Sequence, residues 1–127
     1  MLQTHEVDVC IVGGGPAGLL LGLLLVKQGL QVLVLEQHQD FSREYRGEVL
    51  MPRFAKLFDQ LNLLSYMETF PHTRLDTFQL RTAKRIVSRI PMSDISKEYP
   101  YALWMPQPIF LGALYQKARA FETFEFW

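Results

Sequence analysis

Six consecutive residues, Gly13-Gly14-Gly15-Pro16-Ala17-Gly18, do most to limit what this chain can fold into. They interrupt an uncharged stretch, Val9 to Val26, that otherwise approaches the length of a membrane span. Three glycines and a proline in a row break any continuous helix there. The apolar run that remains, Leu19 to Val26, is too short to cross a bilayer. The segment ahead of it holds Glu6 and Asp8 and no Lys or Arg, the reverse of the positive start of a secretory leader. The expectation is a chain with no membrane span, in the cytoplasm.

The flanks of the glycine run read as regular structure. Val7 to Val12 is β-branched and mostly apolar, as a buried parallel strand is. Pro16 suits the first turn of a helix, because its φ is preset and its missing N–H has no partner there anyway. Ala17 to Gln28 reads as a helix, apolar on nearly all sides and so expected to be buried, and Gly29 stops it. Gln31 to Leu35 is a second short apolar strand ending at Glu36. Strand, glycine turn, helix and strand make one βαβ unit.

In that setting the glycine run satisfies G-x-G-x-x-G with the context the pattern needs. Gly13 permits the tight turn off the strand. Gly15 lacks a Cβ, so a pyrophosphate can approach the backbone. Gly18 lets the helix pack close to the sheet. Pro16 and Ala17 open the helix, whose N-terminal N–H groups and dipole favour phosphate. Glu36, eighteen residues beyond Gly18, stands where an acidic side chain accepts hydrogen bonds from ribose hydroxyls. A carboxylate there repels a 2′-phosphate and disfavours NADP. Gln37 adjoins it in the same candidate site. These residues do not by themselves separate FAD from NAD.

The rest of the chain reads more coarsely. Gln37 to Gly47 is a polar loop, and Pro52 to Leu64 a helix with Phe54, Leu57, Phe58, Leu61 and Leu64 at helical spacing. Thr77 to Leu80 and Ile86 to Ile90 form a hairpin around Arg81 to Arg85. Pro91 to Tyr101 is irregular. Ile109 to Phe121 is a helix with Leu111, Leu114, Tyr115, Ala118 and Phe121 inward, and Phe124 to Trp127 a third parallel strand.

Lys+Arg and Asp+Glu both number 13, so the net charge is zero and nucleic acid is not an expected partner. The cations Arg81, Lys84, Arg85 and Arg89 read as a solvated hairpin. His5, His38 and His72 are scattered and no metal site is expected. Cys10 is the only cysteine, which excludes an intramolecular disulfide and a redox cysteine pair, and is expected to be buried in the first strand.

Asp8 to Leu19, with its Gly-Gly-Gly-Pro-Ala-Gly core, resembles the opening of the FAD-dependent monooxygenases related to p-hydroxybenzoate and phenol hydroxylases. Arg46-Gly47-Glu48-Val49-Leu50 is similar to the segment where that family sets an arginine beside the flavin. Pro106-Gln107-Pro108 and the following helix resemble the segment where a glutamine reaches the cofactor. The resemblance implies an α/β fold with a Rossmann-like FAD-binding βαβ core and an inserted β-hairpin. It implies FAD as cofactor, NADPH or NADH as reductant, O2 activation, and hydroxylation of an aromatic or other organic substrate. It implies that Arg46 contacts the FAD phosphates or ribose, against the alternative of an exposed loop arginine. Gln107 would meet the cofactor near the pyrophosphate, against the alternative of a surface glutamine capping the helix.

Members of the family are longer, and their later Asp-Gly and Gly-Asp segments have no counterpart here. No residue maps onto a catalytic role. The expectation is one domain over residues 1–127, incomplete at its C-terminus, with a further C-terminal segment of the same enzyme as partner and no activity of its own. A non-enzymatic dinucleotide-binding remnant or another FAD-dependent oxidoreductase is the alternative.

Overall fold

The computed structural model describes residues 4–42 and 47–127. They fall into two compact units, one of Met1–Glu44 with Phe110–Trp127 and one of Tyr45–Ile109.

The first unit is built on β1 (Val9–Val12), α1 (Pro16–Lys27), β2 (Val32–Leu35) and β8 (Phe124–Phe126). The strands are parallel in the order β1-β2-β8, with Val9 opposite Val32 and Val32 opposite Phe124. This is the expected βαβ unit with its third strand. The Asp8 carboxylate accepts the Gln31 N–H at 2.8 Å and ties the two strand starts together. Gly29, at φ +85°, turns the chain out of α1 towards β2.

α1 packs along one stripe, Leu19, Gly22, Leu23 and Val26, at the three- and four-residue spacing of one helix face. Burying each of the large members stabilises the unit by about 1.5–3 kcal/mol. A Cβ on Gly22 would stand 3.1 Å from the Phe124 ring and 3.3 Å from Val34, so its absence lets the helix lie close to the sheet. Contrary to the expectation from its composition, the helix is not buried all round: Leu21 is exposed. β1 departs from expectation in the same way. Val9 and Ile11 are half-buried, while Cys10 is exposed and Val12 is 85% exposed. A run of β-branched residues reads as buried only where both faces of the sheet are covered. Here α1 shelters one face of β1, and alternation puts Cys10 and Val12 on the other.

The helix α4 (Gln107–Ala118) belongs to this unit from Phe110 onward. It buries Phe110, Leu111, Ala113, Leu114 and Ala118. It starts two residues before the expected Ile109 and ends before Phe121, which is therefore exposed rather than inward. The aromatic side chains of β8 are not a bare surface. Phe124 is buried, and Phe126 lies edge-on to Tyr115 at 5.1 Å and to Phe41 at 6.0 Å. Trp127 stays exposed, 5.2 Å from the His5 ring.

The second unit contains a sheet that the sequence does not predict. β3 (Gly47–Leu50), β7 (Ala102–Pro106) and β4 (Thr73–Leu75) are antiparallel in the order β3-β7-β4. A Cβ on Gly47 would sit 2.3 Å from Trp104 Nε1, so only glycine lets β3 run beside that indole. The expected helix from Pro52 to Leu64 is two pieces, α2 (Pro52–Gln60) and α3 (Leu64–Met67). Asn62, at φ +56°, makes the break, in a conformation asparagine tolerates better than most residues. Phe58, Met67, Met92, Leu103 and Met105 form the core.

The hairpin β5 (Thr77–Arg81) and β6 (Ile86–Pro91) forms as expected, and its Arg81, Lys84, Arg85 and Arg89 are all exposed. Tyr99 donates a hydrogen bond to Asp59, and that bond, with partial burial and nearby carboxylates, pushes its phenol up to about 12.

Candidate functional site

A cleft of about 750 Å³ opens in the first unit at the carboxyl ends of β1 and β2. That volume lies in the range of about 300–1,000 Å³ usual for ligand sites. Gly13, Gly15, Pro16, Ala17 and Gly18 line one side. Glu36, Gln37 and His38 line the other. Seven of the nine residues expected to touch a cofactor therefore meet at one place.

Each glycine of the turn has its own reason to be there. Gly13 is held at φ +109°, a conformation that side-chain-bearing residues rarely adopt. A Cβ on Gly18 would stand 1.9 Å from the Gly13 carbonyl oxygen, closer than any contact allows. At Gly15 the result is the opposite: apart from its own and its two neighbouring residues, no heavy atom lies within 4 Å of the position its Cβ would take. The space beside the Gly15 backbone is open, at the mouth of α1. Gly15 is also the N-cap of α1, and no side chain caps the helix. Pro16 brings no N–H of its own. The first turn of α1 thus offers backbone donors and the positive end of its dipole to an anion.

Glu36 stands across from this turn. Its side chain is only 5% exposed, so its carboxylate needs partners. Oε2 accepts the Gly14 N–H at 2.8 Å. Oε1 accepts the His38 N–H at 3.0 Å and lies 2.7 Å from His38 Nδ1. Two of these residues are missing from the set read off the sequence. Gly14 occupies an unspecified position of the motif, yet a Cβ there would come within 2.9 Å of the Phe126 ring and 3.1 Å of Glu36 Oε2. The triple-glycine run is the signal for it. For His38 the sequence carries one signal, its place two residues after the acid.

The remaining two expected site residues are Arg46 and Gln107. Arg46 falls outside the described residues. Gln107 belongs to the second unit, at the first position of α4, where it is 9% exposed and so not a surface cap. Its Nε2 donates to Glu48 Oε1 at 2.6 Å, which fixes which way the amide faces. Among the described residues no group of three or more His, Cys, Asp or Glu side chains is placed to hold a metal ion. Among the described residues no helix is long and apolar enough to cross a membrane.

A glycine turn open at the mouth of a proline-started helix, with an ordered acid at the end of the next strand, defines a dinucleotide-binding βαβ unit. The chain belongs to the FAD binding domain family, which it matches over residues 6–126. It is 35% identical over 119 residues to 6-methylpretetramide 4-monooxygenase of Streptomyces rimosus, covering 94% of this chain and 28% of that enzyme. It is 30% identical over 119 residues to para-nitrophenol 4-monooxygenase of Pseudomonas sp. strain WBC-3, covering 92% of this chain and 30% of that enzyme. The crystal structure of p-nitrophenol 4-monooxygenase PnpA from Pseudomonas putida matches at a TM-score of 0.86 with 28% identity, over 99% of this chain and 32% of PnpA. The chain spans about 30% of the length of these relatives.

Proposed function

We propose that this chain is the FAD-holding portion of a flavin-dependent monooxygenase, with the adenosine diphosphate end of FAD in the cleft of the first unit. The open space beside Gly15, at an uncapped helix start facing Glu36, is the observation that carries this reading. Gly13, Gly15 and the α1 start of Pro16, Ala17 and Gly18 take the pyrophosphate. Glu36, with Gln37 beside it, takes the ribose. Arg46 supplies a guanidinium whose paired donors suit phosphate oxygens. Gln107, oriented by Glu48, is assigned to the cofactor by the same resemblance.

Bound FAD, reduced by NADPH or NADH, supplies O2 activation for hydroxylation of a small organic substrate. The family match over residues 6–126 supports treating both units as parts of one FAD-binding domain. The relatives are about three times longer, which supports a further C-terminal segment as the partner that completes the substrate site. A single cysteine suits a reducing, cytoplasmic setting.

The purified chain with added FAD is expected to show no substrate-stimulated NADPH consumption across a panel of phenols. An intact site holds the flavin ring beside reductant and substrate and excludes water. This cleft grips the opposite end of the cofactor. Turnover stimulated by a phenol above the free-flavin background contradicts the assignment of catalysis to the longer protein.

A further inference from the structure

The geometry points to His38 as a positioning residue that holds Glu36 in the rotamer that reads the adenosine ribose. This rests on the placement of the adenosine diphosphate end in the cleft. Glu36 carries three side-chain torsions, and an unrestrained carboxylate at the end of a strand samples several rotamers. Here one oxygen is fixed by the turn, through Gly14, and the other by His38 through both backbone and ring. A carboxylate only accepts, so the proton of the ring contact is on Nδ1. The ring is 47% exposed and lines the cleft, whereas the carboxylate it holds is 5% exposed. The one side-chain contact described here for the Glu36 carboxylate thus comes from an imidazole that contributes little to the core, and its replacement leaves the fold standing.

The test compares ADP with 2′-deoxy-ADP as probes, in titrations of the whole chain, with FAD as a positive control. The parent is expected to prefer ADP about tenfold. His38→Ala is expected to bind ADP five- to tenfold more weakly and to lose most of the discrimination against the deoxy probe, at an unchanged melting temperature. His38→Asn, whose side-chain amide can donate from nearly the same place as Nδ1, is expected to restore both to within about twofold. In a Glu36→Ala background, His38→Ala is expected to do nothing more, because its effect runs through the carboxylate. Parent-like ribose discrimination in His38→Ala overturns the inference, as does a further loss in the Glu36→Ala background. Failure of the parent to bind either FAD or ADP overturns the functional reading itself, and this inference with it.

Discussion

Gly15→Val is expected to weaken FAD binding about a hundredfold or more while the far-ultraviolet circular dichroism and melting temperature stay at parent values. Gly15 has extended backbone angles, φ −80° and ψ −173°, which valine adopts readily. Beyond the neighbouring residues no heavy atom lies within 4 Å of the new Cβ, so the Cβ itself meets no distant part of the chain. The isopropyl group instead fills the space beside the first turn of α1. A pyrophosphate held away from those donors loses charge-assisted hydrogen bonds worth about 1.5–3 kcal/mol each. Two such losses amount to roughly a hundredfold or more, at about 1.4 kcal/mol per factor of ten. Parent-like affinity in the variant places the phosphates somewhere else.

Gly18→Ala fails differently, although it sits three residues away in the same motif. Its Cβ would meet a backbone carbonyl, Gly13 O, at 1.9 Å. That oxygen belongs to a residue at φ +109°, in a turn joined to Leu35 through the Gly13 N–H at 2.7 Å, so it has little room to retreat. Overpacking of this kind costs about 3 kcal/mol, which in a chain of this size lowers the melting temperature by roughly 10 °C. FAD binding then falls because the cradle is lost, not because it is blocked. A melting temperature equal to the parent's contradicts this packing of α1 on the turn. The pair separates two uses of glycine in one short sequence: Gly15 leaves open the space proposed for the pyrophosphate, and Gly18 leaves space for the chain itself.

The βαβ unit is legible in the sequence because its information is local. β1, α1 and β2 follow one another through short connections, and each carries the residue types its environment needs. The strands β3, β4 and β7 are not legible for the opposite reason. They are three to five residues long. Their pairings join positions far apart in the chain, such as Val49 with Trp104. Burial is harder to read than element type, since it depends on which faces find cover. Cys10, Val12 and Leu21 have apolar neighbours in sequence and little cover in space. The site shows the same division. The turn and Glu36 follow from spacing. The roles of Gly14 and His38 depend on where the Glu36 carboxylate and the Phe126 ring come to lie.

The most direct test of the site is titration calorimetry of the chain with FAD and with NADP at matched ionic strength. In the proposed placement the ribose meets Glu36, a carboxylate already supplied with donors by Gly14 and His38. A 2′-phosphate brought there places like charges together in a partly enclosed cleft, which costs several kcal/mol. FAD is expected to bind at least tenfold more tightly than NADP. Binding of NADP as tight as or tighter than that of FAD contradicts the assignment of this cleft to FAD and of Glu36 to its ribose.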